Sequence, residues 1–176
     1  LPPMPLDVCG AESQGMIGYL LQQSMQEALR EAGLDHPVAT LLTQTLVAED
    51  DPAFENPEKP IGPFYTGIQA KKLKVEKGWQ MVEIPERGYR RVVPSPRPVT
   101  LVEGEAIRRL FSAGVVVIAA GGGGVPVIKG SGGTFRGVEA VVDKDYTAAL
   151  LARLVGASDL LILTDVERVA LNCGRP

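Results

Sequence analysis

Four consecutive glycines, Gly121-Gly122-Gly123-Gly124, follow directly on the apolar run Val115–Ala120. Glycine admits positive φ and lets an anion come close to backbone N–H groups. A plain flexible turn needs one or two glycines. Four of them after a strand read better as a ligand-facing loop. The chain continues Val125-Pro126-Val127-Ile128, so this is not a Walker motif. Glycines alone do not name the ligand.

A second candidate is Asp143-Lys144-Asp145, at the start of an expected helix. Helix N-termini favour anions through unpaired N–H groups and the helix dipole. Asp145 as a simple helix cap is the plainer alternative. It leaves Lys144 unexplained, because a cation there opposes the dipole and calls for neighbouring carboxylates or a bound phosphate. Thr164-Asp165-Val166 follows another apolar run, Leu160–Leu163. These residues suit either the border of a nucleotide or an ordinary strand-to-turn cap, and residue types leave that open. Lys59 lies in Lys59-Pro60-Ile61-Gly62-Pro63-Phe64-Tyr65, read as a loop stiffened by two prolines. Stiffness lowers the entropy cost of gripping a phosphate. From residue types alone, a solvated surface lysine is the simpler reading.

Several chemistries are excluded. With one histidine, His36, no Ser-His-Asp set can be assembled. Cys9 and Cys173 form no CxxC pair and no ligand cluster with His36, so no metal site and no disulfide framework is expected. Free thiols fit a reducing cytoplasm. Lysines and glycine backbone without a histidine base point to phosphoryl transfer, which depends on positioning and charge stabilisation. The net charge of −3 comes without a basic stripe interleaved with aromatics, which argues against nucleic acid. Phosphates still need only a few local donors. No apolar run reaches the ~18 residues of a membrane span. No signal peptide is seen. The first residue is Leu1 and the last Pro176, which suggests an incomplete chain.

The elements that must position these residues follow from periodicity. The 176 residues, 45% hydrophobic and 22% charged, suit one sizeable core. A helix is predicted over 11–32, from Ile17, Leu21, Met25 and Ala28 with Leu20 and Leu29, ending at Gly33. A strand is predicted over 37–47. Residues 49–98 read as an excursion into a small protruding lobe, acidic and Pro-broken at first. It should hold a helix over 66–77 and strands over 79–84 and 89–93. Then come a helix over 103–113, a strand over 115–120 buried on both faces, and short strands over 125–129 and 136–142. A helix over 145–155 and a buried strand over 160–164 complete the pattern. This order predicts an α/β fold with helices on both faces of a mainly parallel sheet. Ligands would sit beyond the carboxyl ends of its strands.

The sequence resembles the carbamate kinases of the amino-acid kinase superfamily. The likeness runs from Leu6 to Pro176 through LDVCGAESQGMIGY (6–19), TLLTQTLVAEDDPAFENPEKPIGPFY (40–65), RRVVPSPRP (90–98), VVVIAAGGGGVPV (115–127), GVEAVVDKD (137–145) and LLILTDVERV (160–169). The KPIGPFY and AAGGGGVPV runs set that family apart from acetylglutamate, aspartate and uridylate kinases. The resemblance implies a three-layer α/β sandwich, a homodimer, Mg2+ with ATP or ADP, and reversible phosphoryl transfer between ATP and carbamate to give carbamoyl phosphate. In arginine fermentation that reaction makes ATP. By position, Lys144 would contact the transferred phosphoryl group, and Asp145 would orient the catalytic lysines. Lys59 would reach in from the lobe, and Gly121–Gly124 would line the carbamate end. Asp143, Thr164, Asp165 and Val166 would border the nucleotide.

There are departures. The family carries a Gly-Gly-Asn phosphate loop and a Gly-Asn-Gly turn ahead of the matched region, and a further lysine beyond it. None is among these residues. Cys173 stands where an aromatic residue is usual, and Gly67-Ile68-Gln69 replaces a more acidic stretch. The 176 residues alone are therefore expected to be inactive or nearly so. Two alternatives remain: a non-catalytic nucleotide- or phosphate-binding remnant of the fold, and a related kinase acting on an amino-acid carboxylate.

Overall fold

The computed structural model describes residues 4–164. It begins with a 26-residue helix, α1 (Leu6–Glu31), five residues earlier than the periodicity suggested. Pro5 at the N-cap position is tolerated, since a first-turn N–H needs no helical acceptor. Gly33, at φ +69°, ends the helix, with Gly33 N–H donating to Arg30 O and Leu34 N–H to Leu29 O. That pair of bonds is a Schellman stop.

Most of the apolar residues that predict α1 do not face the sheet, Leu29 being the half-buried exception. Ile17, Tyr19, Leu20, Leu21 and Met25 are exposed. The inward stripe is Gln14, Gly18 and Gln22, spaced by four residues. Gly18 lets the helix press onto Thr40, whose hydroxyl donates to Gly18 O (3.0 Å), while Thr40 N–H donates to Gln22 Oε1 (2.9 Å). A Cβ at residue 18 would collide with the Thr40 methyl.

The single strand expected over 37–47 is two strands, β1 (Val38–Leu41) and β2 (Gln44–Val47). They part at Leu42–Thr43, where the Gln14 side chain takes the Thr43 N–H and shares the Thr43 carbonyl with the Val125 N–H. The lobe follows. Its strand β3 (Lys59–Tyr65) corrects the expected stiff loop. Prolines cannot donate to a ladder, and Pro60 and Pro63 fit because β3 is an edge strand, in the order β3-β5-β4. Gly62, at φ +69°, lies where the register shifts between Ile61 and Tyr65. Helix α2 (Gly67–Lys77) starts with a Thr66–Gln69 capping box and stops at left-handed Gly78. Strands β4 (Gln80–Ile84) and β5 (Gly88–Val93) complete an antiparallel sheet.

The main layer resumes with β6 (Pro98–Leu101), α3 (Gly104–Ser112), β7 (Val116–Ala119), β8 (Val125–Lys129), β9 (Phe135–Gly137) and α4 (Lys144–Val155). β1 pairs in parallel with β7, and β2 in parallel with β8. Antiparallel β6 and β9 flank β2 and β8. The two parallel pairs are interrupted at the same level, and the glycine turn occupies the interruption. α1 packs on β1, β7 and β8; α3 and α4 pack on each other and on β7 and β6. This is the expected α/β layering, with a mixed sheet. Val47, Ile128 and Val142 form a small core under Phe54 and Val138.

Three further expectations need correction. β7 is half-buried, since among the described residues it pairs only with β1. The strand over 136–142 shrinks to Phe135–Gly137, and residues 138–143 run beyond it without a ladder partner among the described residues. Residues 160–164 form no strand and are exposed, with Leu161 83% and Leu163 86% accessible. An apolar run becomes a strand only with a neighbour to pair with, and no described strand pairs with this one.

Candidate active site

The glycine turn is held from beneath by buried side chains of three elements. Thr43 Oγ1 accepts the Ala120 N–H (2.9 Å). Thr45 on β2 and Thr147 on α4 both donate to Gly123 O, at 2.8 and 2.9 Å. Gln14 donates to Thr43 O and accepts Thr43 N–H, both at 3.0 Å. All four polar residues are buried, and all are satisfied. Such networks fix one geometry, because each lost partner would leave a buried group unpaired.

The turn requires glycine where its backbone meets its neighbours. Gly123 has φ +128°, and a Cβ there would strike Val142 O at the foot of α4. At Gly124, with φ +86°, it would strike Thr45 Oγ1. Three of the four glycine amides are used internally: Gly121 N–H donates to Ala119 O, and Gly123 and Gly124 to Ala120 O. Gly122 is the open one. Its amide has no internal acceptor among the described residues, and nothing lies within 4 Å of its would-be Cβ. Gly122 and Gly124 border a cavity of about 260 Å3 that also touches Cys9, Ser13, Gln14 and Pro126.

α4 begins beside this turn, at Lys144. Its cap is Asp143, not Asp145: Asp143 Oδ1 accepts the Asp145 N–H at 3.0 Å. Asp143 Oδ2 receives Lys59 Nζ at 2.8 Å from the lobe. Asp145 Oδ1 stands 3.5 Å from Lys144 Nζ. Each lysine therefore has its own carboxylate. The Lys59 ammonium, then the Asp145 N–H, hold the Asp143 carboxyl below its ordinary value, against a smaller opposing effect of burial. The Lys59 and Asp143 side chains are 37% and 32% exposed, so the pair is weak, about 0–1 kcal/mol. An arriving phosphate can compete for that ammonium.

Lys59, Gly121–Gly124, Asp143, Lys144 and Asp145 thus come together. Thr164 is exposed at the end of the described residues, while Asp165 and Val166 lie outside them. The residues that seat the site were not read from the sequence. Gln14, Thr43, Thr45 and Thr147 look like ordinary helix and strand polar residues, and only their depth reveals them.

The sequence pattern of the amino acid kinase family matches residues 15–175. The carbamate kinase of Pyrococcus horikoshii is 55% identical over 174 residues, covering 99% of this chain and 55% of that protein. A crystal structure from Aeropyrum pernix K1 superimposes with TM-score 0.91 at 45% identity, over 100% of this chain and 56% of the other. The carbamate kinase from Giardia lamblia bound to AMP-PNP gives TM-score 0.85 at 43% identity, over 100% and 56% of the two chains. The chain spans about half the length of the curated relatives it matches.

Proposed function

The chain belongs to the amino acid kinase family, and we propose that the protein acts as a carbamate kinase, moving a phosphoryl group reversibly between carbamoyl phosphate and ADP. One observation carries this reading: Lys59 from the lobe meets the N-terminus of α4 beside the glycine turn, within 2.8 Å of Asp143. Two lysines from separate elements thereby face one anion-friendly corner. Transfer through a loose transition state needs little covalent chemistry from the protein and much charge placement. In this reading Lys144 neutralises the moving phosphoryl group, and Asp145 orients that ammonium. Lys59 leaves Asp143 for a phosphate oxygen as the lobe closes. The glycine turn, with the Gly122 N–H, receives the carbamate end.

Magnesium belongs to the same reading as the ion travelling with the nucleotide, where it offsets phosphate charge. Among the described residues, no group of three or more His, Cys, Asp or Glu could hold a metal unaided. A site built from phosphates and one or two carboxylates fits magnesium, and Asp143 and Asp145 are carboxylates beside the turn. The nucleotide border also includes Thr164, Asp165 and Val166.

A homodimer is part of the reading, supported by the exposed apolar residues Met16, Ile17, Tyr19, Leu20 and Leu21 on α1, which a second copy would cover. The cytoplasm and arginine breakdown, with flux toward ATP, are the expected setting. These 176 residues contain neither a Gly-Gly-Asn nor a Gly-Asn-Gly sequence, so alone they should turn over little, since transfer needs both substrates positioned together.

The test is ATP formation by the full-length protein from ADP, magnesium and carbamoyl phosphate, with acetyl phosphate as control donor. Selective use of carbamoyl phosphate is expected. Nucleotide binding without ATP formation would leave a non-catalytic phosphate-binding protein. Phosphorylation of an amino-acid carboxylate in its place would move the protein to another branch of the family.

A further inference from the structure

We propose that Gln14 is a positioning residue that transmits the placement of α1 to the glycine turn, and so sets the geometry of the acyl end of the site. The proposal deepens the kinase reading and rests on it for the substrate. The contact chain is short and buried. Gln14 is 6% exposed, and its amide grips both polar groups of the Thr43 backbone, at 3.0 Å each. Where β1 and β2 part, it supplies the acceptor for the Thr43 N–H and shares the Thr43 carbonyl with the Val125 N–H of β8. Thr43 is fully buried, and its hydroxyl accepts the Ala120 N–H at 2.9 Å. Ala120 has φ +64° and opens the turn, its carbonyl accepting the Gly123 and Gly124 amides. The stem of Gln14 also lies under Gly121, where a Cβ would come within 2.8 Å of Gln14 Cγ.

Nothing else on α1 reaches the turn in this way. Gln22 grips Thr40, three residues before Thr43, and Gly18 seats Thr40 as well. A shift of α1 along its axis, as on pairing with a second copy, would move the Gln14 amide relative to Thr43 and pull on Ala120. The Gly122 amide lies two residues further on. Displacements near 1 Å in such a site lower rates by about 100-fold.

The experiment uses the full-length protein with Gln14→Met, which keeps length and volume but leaves the Thr43 N–H without its acceptor. Thr43→Val, which removes only the hydroxyl beneath Ala120, is the second variant and carries the test should Gln14→Met fail to fold. Circular dichroism establishes folding. Amide exchange at Ala120–Gly124 and steady-state kinetics are then read together. The expected result is exchange at least about 10-fold faster at Ala120, Gly121, Gly123 and Gly124, with α4 and the lobe unchanged. KM for carbamoyl phosphate should rise about 10-fold or more, and KM for ADP should stay within about 2-fold, on the scale of misplaced substrate contacts. Unchanged exchange at the turn in both folded variants would overturn the proposal, as would equal loosening everywhere or equal rises in both KM values. Exchange does not depend on turnover. A wild-type protein with no carbamoyl-phosphate activity would sink the kinase reading while the Gln14 coupling was still decided.

Discussion

Arg91 Nη2 lies 2.7 Å from Glu139 Oε2, and this contact is one of three that root the lobe on a single extended segment. Val141 N–H donates to Pro94 O at 3.0 Å, and Asp143 holds Lys59. Residues 139, 141 and 143 therefore meet the lobe, while Ala140 and Val142, each 1% exposed, turn into the core. The alternation is that of a strand, without a ladder partner among the described residues.

The Arg91–Glu139 pair should hold the lobe's orientation more than the protein's overall stability. Burial pushes the Glu139 carboxyl up, but hydrogen bonds from the Leu6 N–H and the Arg91 guanidinium outweigh it and leave the group below its ordinary value. Glu139's side chain is 57% exposed, so solvent screens the pair. Arg91 also lies 4.5 Å over the Trp79 ring. Arg91→Ala should cost about 1–2 kcal/mol, from the ion pair and the ring contact together. The swap of Arg91→Glu with Glu139→Arg should recover part of that loss. Chemical denaturation of Arg91→Ala, of Arg91→Glu and Glu139→Arg singly, and of the swap checks it, and a swap no better than either single charge change would show that the charges do not act as a pair.

The Lys59–Asp143 pair gives a signed pH dependence. Asp143 has a folded value below the ordinary one, so its stabilising contribution is present above that ordinary value and is lost as pH falls through the depressed one. Above the ordinary carboxylate range that contribution is fully present, and the lobe should stay seated. Below about pH 4 it should loosen. Fluorescence of the single tryptophan, Trp79 on the lobe, reports this. Asp143→Asn should abolish the acid step. A step that persists in Asp143→Asn would belong to another carboxylate, Glu139 first.

The grouping of the candidate site residues was more legible in the sequence than the architecture. Lys144 and the four glycines are odd for a plain structural role, whereas Lys59 reads from residue types as a solvated surface lysine, and only the family resemblance placed it beside them before any geometry was known. What stayed hidden depended on partners distant in sequence. A run such as residues 37–47 looks like one strand until a glutamine 29 residues earlier takes up the Thr43 backbone. The face of α1 was misleading for a related reason. Periodicity reveals that a helix has an apolar side, but not whether the sheet or another surface takes it. Here the sheet takes Gln14, Gly18 and Gln22, and Ile17, Leu20 and Leu21 point outward. Asp143, not Asp145, caps α4 because its Oδ1 reaches the Asp145 N–H, a one-turn choice that composition does not decide.

The glycine turn offers a contrast within four residues. Gly123→Ala meets a backbone carbonyl that cannot swing aside, at a φ that L residues rarely adopt. It should cost about 2 kcal/mol or more and abolish turnover. Gly122→Ala meets nothing within 4 Å and has no positive φ. Its thermal midpoint should stay near that of the parent, with any loss confined to catalysis. Thermal melts of the two variants side by side decide the matter. Equal destabilisation would mean that the turn is not wedged against the foot of α4.

Lys144 is the residue whose removal separates catalysis from structure most cleanly. Its side chain is 66% exposed, and its closest charged neighbour is Asp145 at 3.5 Å. Folding gains little from so exposed a pair, and a cation in the first turn of α4 works slightly against the helix dipole. Lys144→Ala should therefore leave the thermal midpoint unchanged or slightly raised. In the full-length protein it should still lower turnover at least ~100-fold, the scale for losing a donor aimed at developing charge. Lys144→Arg keeps the charge but changes its shape and reach, and should recover only part of the rate. The measurement is kcat for ATP formation beside a melting curve for each variant. A Lys144→Ala protein with near-normal kcat would remove this lysine from the site, and one that melts far below the parent would make its role structural.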